Sequence, residues 1–374
     1  MHSFQTINHP LLSTNTTLIS NLIQNLSKPR DIILSLWSLT RMEDRSKILA
    51  STVDTLFLKI ESLNLNDLTL KDIYMLISSY GTGRNDNPRI LETLFNKVYE
   101  DLGNASIEEI VNCIYTSARL YIGVNDDEYT NVKIYVERGL EVLKFKDFGD
   151  EQLGVNLIWS LSILKIESSL VEILFKNFEE GFEEIKGMHL RQLYQSYTLN
   201  PSLKVSNEFE IRMEKEWIKE KRREKKSSNK HLEISKTLDL MGIKHVNEFE
   251  EDVDVHITLT SPNSAFKYTR DLIKPTEDMN DGDKKIALEF DGPSHFTRYS
   301  NRSLGHTHLK YNLLSFSYYV IRIPYYVWER IPFWASMERQ RYLQRLLMTD
   351  EVLVFSGKDV SEYKKLGGGV TRFD

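Results

Sequence analysis

The sequence predicts an α-helical repeat, an α-solenoid, followed by a small α/β domain. Three observations carry this expectation. From about residue 30 to 200 apolar side chains recur at three- and four-residue steps, and Pro88 is the single proline in that span. Within it a helical stripe returns every ~35–45 residues, the footprint of stacked helical pairs. Past about residue 242 the helical period gives way to two-residue alternation.

The elements follow in order. Residues 1–29 contain no Asp or Glu and many Ser, Thr and Asn. They read equally as an organellar transit segment or as an N-terminal helix with a polar tail, since the first basic residues are Lys28 and Arg30. Residues 30–207 form the helical-repeat domain. Its stripes are Ile33, Leu36, Trp37 and Leu39; Ile73, Leu76, Ile77 and Tyr80; Ile110, Ile114, Tyr115 and Ala118; Val155, Ile158, Trp159 and Leu161; and Leu190, Leu193, Tyr194 and Tyr197. Aligning Trp37, Ile77, Tyr115, Trp159 and Tyr194 gives spacings of 40, 38, 44 and 35 residues. The recurring aromatic sits inside an apolar stripe, so it is expected to be core and not a base-stacking residue. Residues 91–102, 132–143 and 170–185 supply second helices. The letters repeat poorly, and an irregular helical bundle is the competing arrangement.

Residues 208–230 differ. Lys215, Lys219, Lys221, Arg222, Arg223, Lys225, Lys226 and Lys230 alternate with Glu214, Glu216, Glu220 and Glu224. Glu216–Lys219 and Glu220–Arg223 can pair at i,i+3. The run reads first as a solvated linker helix ending near Ser227-Ser228, and second as a phosphate-binding surface.

Composition limits the function. The chain has 374 residues, enough for two or three domains of ~100–200 residues each. Its 41% hydrophobic and 27% charged content is globular, which excludes wholesale disorder. No apolar run approaches the ~18 residues of a membrane span. The single Cys113 cannot form an internal disulfide or a Cys-rich zinc site. Net charge is −6, but residues 1–200 hold 19 basic and 27 acidic side chains while the rest hold 29 and 27. A polyanion-binding surface is therefore expected to be local and mainly C-terminal, and the acidic helical domain favours a protein partner.

The α/β domain spans 231–350, and 351–374 is a C-terminal tail. Its elements read as a helix over 231–241 stopped by Gly242, strands over 243–248, 253–259 and 286–290, a helix over 304–316, a strand over 319–323 and a helix over 332–348. Residues 260–284 read as a polar, turn-rich loop. The chemistry concentrates in Ile286-Ala-Leu-Glu-Phe-Asp-Gly-Pro-Ser-His-Phe296. Glu289 and Asp291 are two apart on a strand and face one side, where the strand runs into a Gly-Pro turn. His295 follows four residues on, and Asp254 lies beside Glu289 if the two strands pair. Such a set suits a divalent cation or an activated water, or equally serves as turn and capping groups. Beyond it, Arg298, Arg302, Lys310, Arg322, Arg330, Arg339, Arg341 and Arg345 interleave with Tyr299, Tyr311, Tyr318, Tyr325 and Tyr326. That mixture suits single-stranded RNA, by phosphate pairing and base stacking. Trp328 reads as core, and the Arg residues of 332–348 read also as a plain solvated helix face.

Leu288-Glu-Phe-Asp-Gly-Pro-Ser-His-Phe296, Gly305-His-Thr-His-Leu-Lys-Tyr-Asn-Leu-Leu314 and Tyr319-Val-Ile-Arg-Ile-Pro-Tyr-Tyr-Val-Trp328 resemble the RAP domain, over roughly 232–345. The resemblance implies organellar RNA binding with helical repeats upstream, as in heptatricopeptide-repeat and FAST kinase-domain proteins. It places the protein in the mitochondrion, with the plastid as alternative, on rRNA or mRNA. Expected roles are RNA processing, stabilisation or ribosome assembly, or service as a ribosomal component. Glu289, Asp291, His295, Arg298, Arg302, Lys310 and Arg322 are the expected RNA contacts.

The family's sheet is also similar to the restriction-endonuclease-like fold, in which an Asp on one strand and a Glu-x-Lys on the next hold the metal. Asp254 and Glu289 match those places, but Asp291 stands at the Lys place. The alternative is therefore a metal-dependent RNA endonuclease using Asp254, Glu289, Asp291 and His295 with Mg²⁺ or Mn²⁺. The favoured reading needs no cofactor, no enzyme activity and no membrane.

Overall fold

The computed structural model describes residues 23–42, 47–123, 127–144, 148–181, 185–221, 229–243, 245–249, 253–259, 273–275, 284–348 and 353–355. Residues 1–22 of the transit-like segment, 222–228 of the charged run, and most of 260–284 and 351–374 lie outside them. Two compact units result. One is Met1–Ser206 together with Phe296–His306; the other is Asn207–His295 together with Thr307–Asp374.

The first unit is helical. Its elements are α1 (Pro29–Leu39), α2 (Lys47–Glu61), α3 (Leu70–Gly83), α4 (Pro88–Glu100), α5 (Ile107–Leu120), α6 (Thr130–Leu143), α7 (Glu151–Leu164), α8 (Ser169–Gly181) and α9 (Gly187–Leu199). Consecutive helices pack as pairs, α1 with α2 through α7 with α8. The first helices of the pairs also pack on one another, α1 on α3, α3 on α5, α5 on α7 and α7 on α9, and α4 packs on α6. This is a helical array in rows.

Short-range chemistry sets the ends of these helices. Thr69, Asn87, Ser106 and Asp150 each accept a backbone N–H of the first turn of α3, α4, α5 and α7. Ser106 and Glu109 form a reciprocal capping box, and Pro88 sits at the start of α4. Arg84, Tyr121 and Lys165 end α3, α5 and α7 in the left-handed region, at φ 58°, 55° and 54°. After each, a backbone N–H reaches back to close the turn: Asn85 to Tyr80, Ile122 to Ser117 and Ile166 to Leu161, at 2.9–3.0 Å. This threefold turn is a repeat that side-chain identity hides, because none of the three is glycine.

The recurring aromatic position differs from expectation. Ile77 and Trp159 are buried, but Trp37 is 37% exposed and Tyr115 and Tyr194 are only half-buried. In α1, α5 and α9 the position lies at the edge of the apolar stripe and part of the ring meets water. Tyr115 and Trp159 accordingly touch across α5 and α7, with ring centroids 5.4 Å apart.

The second unit holds α10 (Asn207–Lys221), α11 (Asn229–Met241), β1 (Val246–Phe249), β2 (Val253–Leu259), β3 (Ile273–Pro275), β4 (Lys284–Asp291), α12 (Gly305–Leu314, its first two residues in the first unit), β5 (Tyr319–Pro324), α13 (Tyr325–Trp328), α14 (Ser336–Met348) and β6 (Leu353–Phe355). The main sheet has the order β1-β2-β4-β5. Its first two pairings are antiparallel and β4–β5 is parallel, which demands the crossover that contains α12.

Ile286 and Leu288 point to one face, where they join Ile234 and Leu238 of α11, Leu343 and Leu347 of α14, and Trp328. Trp328 is fully buried, as the sequence implies. Ala287 points to the other face and packs with Leu314 of α12 and with Tyr318. The sheet is covered on both sides, so β4 reads as a continuous apolar run and not as an alternation.

Two strands depart from the sequence reading. β3 falls in the segment expected to be loop and β6 in the expected tail, and they pair with each other, Ile273 opposite Phe355. Each is three residues long, too short for any period, and their partnership spans some eighty positions. Arg339 also departs from a solvated face. It is buried, stacks 4.8 Å from the Trp328 ring centroid and donates to Glu233 at 2.9 Å.

Candidate nucleic-acid interface

Residues Ala287, Glu289 and Asp291 alternate onto the face of β4 that α12 covers. Glu289 is opposite Arg322 in the parallel register, so Arg322 shares that face. From α12, Lys310 and Tyr311 reach the same place. Lys310 Nζ lies 2.6 Å from Glu289 Oε2. Arg322 grips Asp291 Oδ2 through Nε and a terminal nitrogen, both at 2.9 Å. Tyr311 donates its hydroxyl to Asp291 Oδ1. The Arg322 guanidinium stacks 4.4 Å from the Tyr311 ring centroid. His295, held by a short turn after Gly292-Pro293, brings Nδ1 to 3.2 Å from Asp291 Oδ1.

The electrostatics close on themselves. Glu289 is 2% exposed and Asp291 1%, and each carboxylate has its own cation. Burial pulls the Asp291 pKa upward, but hydrogen bonds from His295 and Tyr311 and the charge of Arg322 outweigh it, so the net shift is downward. The Tyr311 phenol is pushed well up, first by burial and then by the Asp291 charge. It is a permanent donor at neutral pH.

Strand pairing places Asp254 next to this group along the backbone: Val255 is opposite Leu288, Asp254 precedes Val255 and Glu289 follows Leu288. The Asp254 side chain lies outside the described part. A cation at the place of Asp291 is absent in sequence, yet Lys310 supplies an ammonium to Glu289 from α12 instead.

The family model for the RAP domain matches residues 288–346. The chain carries a RAP domain. The match begins inside β4, so it holds the charged network, α12 and most of α14, whereas α11, β1, β2 and β3 precede it.

Not all expected contacts of the RAP domain gather in one place. Glu289, Asp291, His295, Lys310 and Arg322 come together, but Arg298 and Arg302 do not join them. They sit on a hairpin, with Phe296 bridged to Ser303, that belongs to the helical unit. Arg298 Nη1 lies 2.8 Å from Asp54 Oδ1. Arg302 lies 3.7 Å from Asp86 and 3.6 Å from Glu128, and stacks 5.1 Å from the Tyr129 ring centroid. Asp86 is fully buried and takes the backbone N–H and the hydroxyl of Ser300.

Gly305 ends this hairpin against the Ala118 carbonyl, where a Cβ would come within 1.8 Å of the oxygen. These two arginines therefore anchor the hairpin. Among the exposed aromatics within the match, which include Tyr299 and Phe316, two are adjacent: Phe333, 60% exposed, and Trp334, 51% exposed, with rings 4.9 Å apart and edge to face. The signal for them was Pro332-Phe-Trp334, two adjacent large aromatics that cannot both face one core.

Proposed function

We propose that this protein binds single-stranded RNA through its RAP domain, without catalysis, and serves RNA processing, stabilisation or ribosome assembly in the mitochondrion. The plastid is the alternative compartment, rRNA and mRNA are the RNA classes, and permanent ribosome membership is the long-lived form of the same role. The RAP match over 288–346 carries this reading. Physical support comes from the exposed Phe333–Trp334 pair between Arg330 and Arg341, both exposed. Aromatic faces take bases regardless of sequence, and arginines take phosphates. The acidic balance of residues 1–200 supports a protein partner on the helical unit. The test is titration of the full chain into a labelled single-stranded RNA at several salt concentrations. Binding should weaken as salt rises, and no binding at low salt would end the proposal.

One observation favours the endonuclease alternative: the Lys310 ammonium beside Glu289. The donor set nevertheless does not fit a resident Mg²⁺ or Mn²⁺. A divalent cation would have to displace Lys310 from Glu289, and Arg322 and Tyr311 from Asp291. Among the described residues no three His, Cys, Asp or Glu side chains converge on one point. RNA incubated with the protein and Mn²⁺ should stay intact. Cleavage that vanishes in Glu289→Gln would promote the alternative.

A further inference from the structure

The helical unit is acidic as a whole, yet two of its arginines are brought together and, among the described residues, no salt bridge to a carboxylate is made by either. Arg41 follows α1 and Arg119 is in the last turn of α5. Each lies over the aromatic ring four residues before it: Arg41 is 4.2 Å from the Trp37 centroid and Arg119 5.7 Å from that of Tyr115. Both reach to α3, which lies between α1 and α5. Arg41 donates to Ser78 Oγ at 2.7 Å, and Arg119 points to Thr82 Oγ1 at 3.5 Å. Ser78 and Thr82 are one turn apart, so the two anchoring positions are about 6 Å apart along α3.

No salt bridge from either arginine occurs among the described residues. The Arg41 guanidinium is held below its ordinary range, first by partial burial and then by the charge of Arg119. One arginine on an i−4 ring is ordinary helix packing. Two that converge on the hydroxyls of one helix, repelling each other, are not explained by packing. Their neighbours Trp37 and Tyr115 keep part of their rings in solvent.

We propose that Arg41 and Arg119 hold phosphates of a single-stranded nucleic acid, with Trp37 and Tyr115 as stacking surfaces beside them. The one-turn spacing of the two anchoring hydroxyls suits successive phosphates of one strand, and the half-open rings suit unpaired bases. This site is separate from the RAP domain and stands whether or not that domain binds RNA. It also departs from the expectation that a polyanion-binding surface is mainly C-terminal: the charge of the unit is an average, and this patch is its exception.

The test uses the full chain with a 12-nucleotide single-stranded RNA carrying photoreactive uridines, and the variants Arg41→Gln, Arg119→Gln and the pair. Glutamine keeps a donor for Ser78 and Thr82, and circular dichroism checks the fold. Loss of two phosphate contacts should weaken binding at least tenfold and flatten the plot of log affinity against log salt by about 1.4, at about 0.7 per phosphate on a single strand. Crosslinks in the unaltered protein should map to residues 37–41 or 115–119. Unchanged affinity and slope in the folded double variant, with crosslinks elsewhere, overturns the site even if RNA binding by the RAP domain holds. Displacement of the RNA by polyglutamate at equal concentration of charge would overturn it in favour of an acidic protein partner. RNA binding that survives Phe333→Ala with Trp334→Ala but fails in the arginine pair would uphold this site and remove the RAP reading.

Discussion

Lys310 Nζ lies 2.6 Å from Glu289 Oε2, joining α12 to a strand position that is otherwise sealed from water. The pair fixes the helix over the sheet face that carries Asp291, and it converts a potentially reactive carboxylate into a structural one. Removing one member of a buried pair leaves an uncompensated charge, which costs more than the pair is worth intact.

Lys310→Met should therefore destabilise the protein by about 2–3 kcal/mol, somewhat less than for a fully buried pair because Lys310 still touches solvent. Urea unfolding measures this. Glu289→Gln combined with Lys310→Met should recover most of the loss. A single variant as stable as the parent would show that water replaces the ammonium.

Asp291 sets a pH dependence. Its folded-state pKa is below the ordinary carboxylate value of ~3.9, so its stabilising effect is full above about pH 5 and fades as pH falls through that range. Asp291→Asn should lower stability at pH 7 and lower it much less at pH 3. Parallel unfolding curves at the two pH values give the comparison, and a pH-independent difference would contradict the assignment of charge to Asp291.

The hairpin carrying Arg298 and Arg302 is held by Asp86, which binds Ser300 and faces Arg302. Replacing Asp86 with Ala should expose both arginines. Trypsin should then cut after Arg298 and Arg302 several times faster than in the parent, read by mass spectrometry at early times. Equal rates would mean that the hairpin is held without Asp86.

RNA affinity should depend on the exposed aromatic pair. Phe333→Ala with Trp334→Ala should weaken single-stranded RNA binding by about 1–3 kcal/mol per stacked base while leaving the salt slope unchanged. Anisotropy titrations at two salt concentrations check both parts. Arg298→Ala, by contrast, should act through folding, and any loss of affinity should follow its loss of stability.

Several features were legible in the sequence because their causes are local. The helices of residues 30–200 follow from three- and four-residue apolar steps and from caps such as Thr69, Ser106 and Asp150. The strands β2 and β5 follow from β-branched runs and β4 from a short apolar run before a Gly-Pro turn. The common face of Glu289 and Asp291 follows from the two-residue period of a strand. The fates of individual side chains were not local. Glu289, Asp291 and His295 read as a site by spacing, but only the crossover that brings Lys310, Tyr311 and Arg322 to them decides that their charges are met within the fold. Arg298 and Arg302 read as RNA contacts by type. Their carboxylates, Asp54 and Asp86, lie more than two hundred positions away, and pairing over that separation leaves no trace in either segment. The pairing of Arg41 with Arg119 across α3 was invisible for the same reason. Secondary structure depends on a residue's near neighbours along the chain, whereas the free charges of a folded surface depend on which distant segments have already neutralised the rest.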